Sequence, residues 1–147
     1  MKVLQSWDEF TLCQTERGDS DFYSVMGWFF GSRQIARELG MPIYDDDNRT
    51  WIVVMFSTAD PIACSSIEIK GDRAAIKSAW VKPEHRGKGI YNKMLAERLK
   101  IAESAGIKVI TATATEFSKN ALIKHGFENI GMRGRYYLMR KEFSNED

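Results

Sequence analysis

The sequence predicts one α/β domain in which a mostly antiparallel sheet is flanked by helices. The chain has 147 residues, which is the size of one domain and is enough to bury a core without disulfides or a structural metal. Apolar residues recur first at helical and then at strand spacing, and no repeat or linker marks a second domain. Three consecutive strand-like segments with short connections predict an antiparallel meander. We therefore expect a single domain over residues 1–147.

Composition excludes several classes of protein. Apolar residues are 44% and charged residues 28% of the chain, which excludes disordered and fibrous proteins. Twenty-one Lys and Arg against twenty Asp and Glu give a net charge of +1, which disfavours a dedicated nucleic-acid binder. Cys13 and Cys64 fit no disulfide framework, so we expect both to be buried and reduced. The first residues lack the apolar region of a signal peptide, and no stretch approaches the roughly 18 apolar residues of a membrane helix, so we expect a cytoplasmic protein.

The first third of the chain predicts one strand followed by two helices. Residues 1–7 have strand character, and apolar residues recur at helical spacing over residues 20–39. Gly31 interrupts that spacing and predicts two helices, of which Gly40 and Pro42 end the second. The acidic run over residues 45–48 predicts a loop.

The remaining two thirds predict three strands, a helix, a strand, a helix and a hairpin. The segments are, in order, strands over 51–56, 62–69 and 74–81, a helix over 90–106, a strand over 108–115, a helix over 117–125, and strands over 128–133 and 136–143. The helix over 90–106 is amphipathic.

The segment with chemical content joins the strand that ends at Val81 to the helix that begins at Ile90. It contains Arg86-Gly87-Lys88-Gly89. Glycines leave backbone N–H groups uncovered, and a helix start adds unpaired N–H groups with a partial positive charge. This predicts an anion site that suits a pyrophosphate, to which Lys88 and Arg86 would add charge. The alternative is a turn that needs glycine for its geometry alone; the spacing fits neither a P-loop nor the dinucleotide fingerprint.

Two motifs resemble the GNAT superfamily of N-acetyltransferases. Arg86-Gly87-Lys88-Gly89-Ile90-Tyr91 is similar to the [QR]-x-x-G-x-[GA] loop of that family. Residues 118–127 end in Lys124-His125-Gly126-Phe127 and resemble the family's K-x-G-F helix. With the matching order of elements, the resemblance covers residues 51–143.

The resemblance implies a mixed sheet that splays between the fourth and fifth predicted strands, 74–81 and 108–115, with acetyl-CoA in the gap. The pantetheine arm would pair with the backbone near Trp80 and Val81, and the pyrophosphate would bind the N–H groups of residues 87–92. The cofactor-binding residues expected on this basis are Trp80, Val81, Arg86, Gly87, Lys88, Gly89, Ile90, Tyr91, Asn92 and Thr115. The implied reaction moves the acetyl group directly to a primary amine of a small molecule or a protein, without a metal.

The sequence departs from the family at functional positions. Tyr91 replaces a Gly or Ala, so its ring must point away from the pyrophosphate or lie over the cofactor. The positions of the family's usual acid–base groups hold Ala75, Ile110 and Leu122. This leaves Glu68 as a candidate proton acceptor, with a pKa that burial would raise, and Tyr136 as a candidate donor.

Glu116 and Tyr137 are weaker candidates for the same two roles, and positioning of the reactants without a protein base is the alternative. We expect His85 to be a loop residue and His125 a helix cap, neither of them catalytic. The acidic run over residues 45–47 is expected to be a solvated turn, with attraction of a cationic amine as the alternative.

Two other functions stay open. One is a binding module that keeps the fold without turnover. The other is an acetyltransferase for a protein N-terminus or an aminoacyl-tRNA, which the basic residues of the last hairpin suggest: Arg133, Arg135, Arg140 and Lys141. The oligomeric state is open as well, with a dimer as one option.

Overall fold

The structure is a computed structural model that describes residues 1–46, 48–57 and 60–143. Its strands are β1 (Lys2–Trp7), β2 (Phe10–Thr15), β3 (Arg49–Phe56), β4 (Asp60–Lys70), β5 (Arg73–Val81), β6 (Val109–Ala114), β7 (Glu128–Arg133) and β8 (Tyr136–Glu142). Its helices are α1 (Phe22–Phe30), α2 (Arg33–Leu39), α3 (Ile90–Ser104) and α4 (Glu116–Lys124). The strands form one sheet in the order β1-β2-β3-β4-β5-β6-β8-β7. All neighbours pair antiparallel except β5 and β6, which are parallel, so the expected mixed, mostly antiparallel sheet is confirmed.

The sequence prediction missed one strand, β2. It pairs with β1 through a tight turn in which Asp8 has a φ of 50°. Phe10, Leu12 and Cys13 are all buried, because both faces of β2 are covered. The apolar–polar alternation that marks a half-buried strand is therefore absent from this segment.

The helix pair lies where the sequence predicts it. Ser32 is the N-cap of α2, and its hydroxyl accepts a hydrogen bond from the Ile35 N–H at 3.2 Å. Gly40 ends α2 with a left-handed φ of 81°. None of the helices in the described ranges is long and apolar enough to cross a membrane.

The helices cover opposite faces of the sheet. On one face, called the α3 face here, the buried core includes Leu95, Ala102, Leu122, Ile67, Ile76, Ile110 and Ala112. On the other, called the α1–α2 face, it includes Phe22, Met26, Phe29, Ile35, Trp51, Cys64 and Trp80. Both cysteines are buried and free, as predicted. Buried apolar side chains thus cover the centre of the sheet on both faces.

The sheet opens between β5 and β6. Their parallel pairing runs from Arg73 opposite Val109 to Ile76 opposite Ala112 and ends there, although both strands continue. A β-bulge in β5 lies just beyond this point, because Lys77 and Trp80 oppose residues of β4 that are only two apart. Ser78 within the bulge has a left-handed φ of 57°. Since a bulge bends and twists its strand, β5 leaves β6 here, and the expected splay is confirmed.

We expect Leu95→Ala to destabilise the fold by about 2–5 kcal/mol, because Leu95 is fully buried between α3 and the sheet. Ile123→Ala removes apolar atoms from a side chain on α4 that is 47% exposed, so it should cost well under about 1 kcal/mol. Urea unfolding followed by far-ultraviolet circular dichroism measures both. Equal losses in the two variants would contradict the assigned core.

Candidate functional site

The loop before α3 presents unpaired backbone donors. Gly87 and Gly89 have left-handed φ angles of 80° and 79°, which glycine adopts at little cost. Gly89 is the N-cap of α3, with no side-chain cap and no acidic residue in the first turn. The first helical bond donates from the Lys93 N–H to the Gly89 carbonyl at 3.1 Å. The N–H groups of residues 90–92 precede that bond and have no acceptor within the helix, so this end of α3 suits an anion.

The start of α4 differs, because a capping box uses the N–H groups of Thr115 and Ser118 and the first turn contains the acidic Glu116. Thr115 and Ser118 form a reciprocal capping box, in which the Thr115 N–H donates to Ser118 Oγ at 3.1 Å. Glu116 in the first turn accepts a short hydrogen bond from the Tyr137 hydroxyl, and this bond raises the pKa of Tyr137. Thr115 therefore lies at the end of β6 with its hydroxyl held inside a cap.

The free edge of β5 directs backbone groups into the gap. The Lys82 N–H donates to the Ile62 carbonyl of β4 at 2.8 Å. Because successive residues of a strand point their polar groups to opposite sides, Val81 directs its N–H and C=O toward the gap. The Val81 carbonyl accepts a hydrogen bond from Arg86 Nε at 2.8 Å. The Trp80 backbone turns toward β4 instead, and its indole packs in the core of the α1–α2 face.

The two cations of the loop have different surroundings. Arg86 Nη2 lies 2.7 Å from Glu38 Oε2, and its guanidinium is 6.0 Å from the Trp80 ring centroid. Lys88 is exposed, with its ammonium 5.9 Å from the Phe10 ring centroid, and it forms no ion pair with any residue that the structure describes. Lys88 is thus available to an incoming anion, whereas Arg86 must leave a partner.

Tyr91 points into the protein and away from the loop surface. Its side chain is half-buried and packs against the core of the α3 face. The Arg98 guanidinium lies 5.9 Å from the Tyr91 ring centroid and donates to the Ser66 carbonyl at 3.3 Å. The ring therefore leaves the backbone of residues 87–92 uncovered on the loop side.

Glu68 lies on the α1–α2 face opposite Ala75, but three cations surround its carboxylate. Lys70 Nζ is 3.0 Å from Oε1, Lys77 Nζ is 3.2 Å from Oε2, and Arg49 Nε is 4.0 Å from Oε2. The hydrogen bond from Lys70 is the main cause that lowers the pKa of Glu68 below its ordinary value, with Lys77 adding to it against the effect of burial. The expectation of a raised pKa is wrong, because the effects of the two lysines outweigh desolvation.

Tyr136 connects β8 to the end of α2 across the gap. Its hydroxyl donates to the Leu39 carbonyl at 3.4 Å and accepts from Arg135 Nη2 at 3.2 Å. A Cβ added at Gly40 would lie 3.3 Å from the Tyr136 hydroxyl, so the contact is close. Tyr136 thereby borders the gap on the α1–α2 face.

Asp45 and Asp46 of the acidic run both form ion pairs, and the expected solvated turn is wrong for Asp45, whose side chain is 9% exposed. Asp45 accepts from Trp51 Nε1 at 2.9 Å and from Arg17 Nε at 2.5 Å. Asp46 lies 3.0 Å from Arg49 Nη2. Asp45 therefore connects the segment after α2 to β3 and to the turn that follows β2, and Asp46 connects it to β3. Asp47 lies outside the described residues.

The contacts of the two histidines are those of structural residues. His85 packs against Phe56, with ring centroids 4.9 Å apart. His125 is the C-cap of α4 and its Nδ1 is 2.8 Å from the Ala121 carbonyl, which confirms the predicted cap. No group of three or more potential metal-ligating side chains occurs within the described ranges.

Glu38 is the residue at this site that the sequence did not indicate. It lies on α2, and its Oε2 accepts hydrogen bonds from Trp80 Nε1 at 2.6 Å and from Arg86. The bond from Trp80 is the main cause that lowers the pKa of Glu38. A glutamate on an amphipathic helix carries no sequence signal for this role, because its partners are 42 and 48 residues away.

We expect Glu68 to stabilise the folded protein only above acidic pH. Its pKa is lowered from 4.5 in the folded state, so its stabilising effect is present above that value and is lost as the pH falls through the folded-state pKa. Glu68→Gln should therefore lower the free energy of unfolding at about pH 7 and change it little at about pH 3. Urea titrations at both values test this, with Glu84→Gln, which alters an exposed pair to Lys82, as the control. A loss that is the same at both pH values would contradict the ion-pair assignment.

Comparison with solved structures supports the architecture. Escherichia coli ElaA superposes with a TM-score of 0.71 at 16% identity, over 90% of this chain and 99% of that one. A provisional phosphinothricin N-acetyltransferase gives 0.65 at 25% identity, over 92% and 99%. The PaiA N-acetyltransferase from Thermoplasma acidophilum, solved in complex with coenzyme A, gives 0.60 at 15% identity, over 84% and 86%. A search of curated proteins found no significant match.

The model of the acetyltransferase (GNAT) family matches residues 7–127. This span includes the loop before α3 and the strands β5 and β6 that border the gap. It also includes α4 and the residues that follow it up to Phe127. The chain therefore belongs to the GNAT family of acetyltransferases.

Proposed function

We propose that the protein transfers the acetyl group of acetyl-CoA directly to a primary amine of a small molecule or a protein in the cytoplasm. The observation that carries the proposal is the combination of an uncapped α3 N-terminus with a free β5 edge at a gap in the sheet. A helix start binds phosphate, and a free strand edge binds an amide chain. Coenzyme A contains both groups.

The chain offers a consistent set of contacts along this substrate. The diphosphate would accept from the N–H groups of residues 87–92, with charge from Lys88 and Arg86. The amides of the pantetheine arm would pair with the N–H and C=O of Val81 beside the Trp80 indole. Thr115 would border the arm from the β6 side.

Positioning, without a dedicated protein base, would account for the chemistry. The lowered pKa of Glu68 makes it a weak proton acceptor, and Lys70 and Lys77 occupy its two oxygens. The Tyr136 hydroxyl already donates to Leu39. Holding a neutral amine against the thioester supplies several kcal/mol of rate enhancement by itself. The amine would lose its proton to water, so the rate should rise with pH toward the pKa of the amine.

A binding module that holds acetyl-CoA without turnover is the second candidate. It is favoured by the same absence of an uncommitted carboxylate among the described residues that face the gap. Calorimetric titration with acetyl-CoA followed by a thiol-release assay over a panel of amines separates the two functions. Binding with release supports the transferase, and binding without release for any amine supports the module.

We expect Gly89→Asp to weaken acetyl-CoA binding at least tenfold, about 1.4 kcal/mol. The added carboxylate would lie at the helix start that receives the diphosphate and would repel it. Gly89→Asn has the same shape without the charge, and asparagine tolerates the left-handed φ of this position. Calorimetry on both variants, with folding checked by circular dichroism, makes the comparison. If Gly89→Asp bound acetyl-CoA as tightly as Gly89→Asn, the diphosphate would not bind here.

We expect Glu68→Gln to change kcat by less than about threefold with acetyl-CoA affinity retained. General-base catalysis contributes about 10²–10⁴-fold, so a base at this position would be visible as a much larger loss. The measurement is steady-state thiol release across a pH series. A fall of about a hundredfold or more would establish Glu68 as the base and overturn the positioning account.

A further inference from the structure

Arg86 occupies a cation site that other residues form. The Glu38 carboxylate lies 2.7 Å from Arg86 Nη2, and the Trp80 ring centroid is 6.0 Å from the guanidinium. A carboxylate beside an aromatic ring attracts a cation through charge and through the ring quadrupole. The Trp80 indole fixes the carboxylate by a 2.6 Å hydrogen bond. The arrangement would receive any ammonium or guanidinium group of suitable size.

This cation site lies at the opening of the gap on the α1–α2 face. Trp80 stands on the β5 side of the gap and Tyr136 on the β8 side, and the end of α2 contacts both through Glu38 and Leu39. The loop that would receive the diphosphate leads into α3 on the other face. An acceptor that entered from the α1–α2 face would therefore pass Glu38 before reaching the gap.

We propose that Glu38 and Trp80 bind a cationic group of the acceptor, and that Arg86 fills this site until acetyl-CoA binds. The inference rests on the proposed function. The diphosphate draws Arg86 to the loop, and the carboxylate of Glu38 is then exposed to the acceptor. The acceptor class is an amine with a second positive group, such as an alkyl diamine, whose neutral amine attacks while its ammonium group binds Glu38.

The charges of the site favour this exchange. Arg86 contacts Glu38 through an ion pair in which both side chains reach solvent, 48% and 32% exposed, and such pairs are weak. Its Nε also donates to the Val81 carbonyl at 2.8 Å, a bond at the edge of the gap that Arg86 can keep while its Nη2 leaves Glu38. A diphosphate carries more charge than one carboxylate and also contacts the helix N–H groups. After the exchange Glu38 remains ionised at neutral pH, because the Trp80 hydrogen bond lowers its pKa. Its second oxygen accepts only a long bond from Gln34 Nε2, at 3.4 Å, among the described residues.

The exchange couples the two substrates. Acetyl-CoA removes the internal competitor of the acceptor, so each substrate raises the affinity for the other by the same factor. Glu38→Gln removes the partner that holds Arg86 away from the diphosphate. It should therefore strengthen acetyl-CoA binding while it weakens recognition of the cationic acceptor, two opposite effects that a general loss of structure would not produce.

The test compares Glu38→Gln with Glu84→Gln, which removes the same charge from an exposed position close to Arg86 in sequence. Glu38→Gln should bind acetyl-CoA about two- to fivefold more tightly, with binding of pantetheine, which lacks phosphates, unchanged. Its KM for 1,5-diaminopentane should rise about tenfold, and that for 1-aminopentane should stay within about twofold. Glu84→Gln should resemble the parent in all of these values. Equal effects in the two variants, or equal KM changes for the two amines, would overturn the inference.

A second readout needs no turnover. The Trp80 indole N–H resonance, assigned with Trp80→Phe, reports on the carboxylate that it contacts. Diaminopentane alone should leave this resonance in place, and diaminopentane with coenzyme A should move it beyond the effect of coenzyme A alone. If diaminopentane with coenzyme A moves this resonance no further than coenzyme A alone, the inference is wrong.

If the parent protein binds no acetyl-CoA, the proposed function fails and this inference fails with it. If the parent binds acetyl-CoA and transfers the acetyl group but Glu38→Gln behaves like Glu84→Gln, this inference alone is wrong.

Discussion

Parallel pairing between β5 and β6 lasts for four residue pairs, and the candidate site depends on its end. The bulge at Ser78 bends β5 away, and the Ser78 hydroxyl accepts a hydrogen bond from Arg49 Nη1 at 3.2 Å. The Arg49 side chain is 3% exposed and also reaches Asp46 and the Tyr44 carbonyl. A buried cation without partners is costly. The contacts of the Arg49 guanidinium therefore stabilise the segment after α2 and the bulge of β5 in one arrangement. The free edge at Val81 follows from that bend.

The side chains of the candidate site bind and orient charged groups more readily than they exchange protons. The donors of residues 90–92 are open, whereas a capping box uses the N–H groups of Thr115 and Ser118 at the start of α4 and Glu116 adds negative charge there. The start of α3 therefore suits an anion better than the start of α4. Two carboxylates on the α1–α2 face, Glu38 and Glu68, both have lowered pKa values and cationic partners. Such groups bind charge well and accept protons poorly. The structure therefore favours a transferase that positions its reactants.

Sequence reasoning was successful where a local pattern determines the structure. The glycines of the loop, the amphipathic α3, the split helix pair and the meander each follow from spacing or from turn chemistry over a few residues. It missed β2 because burial on both faces removes alternation, and it did not indicate Glu38 because the partners of this residue are distant in sequence. The predicted direction of the Glu68 pKa shift was wrong although the main cause, Lys70, is only two residues away in sequence. The second lysine, Lys77, reaches Glu68 only through the pairing of β4 with β5. The ion pair of Asp45 with Arg17 also depends on a tertiary contact, because the two residues are 28 apart in sequence.

The most direct test of the central claim is to map the binding of coenzyme A by backbone amide resonances. We expect the largest shifts at residues 87–92 and at Val81, whose N–H groups face the loop and the gap. The amides at the start of α4 should move less, because the capping box uses the N–H groups of Thr115 and Ser118 and the Glu116 carboxylate disfavours an anion there. If the largest shifts occur at the start of α4 or on the α1–α2 face, and residues 87–92 and Val81 do not move, coenzyme A does not bind at the loop before α3 and the edge of β5.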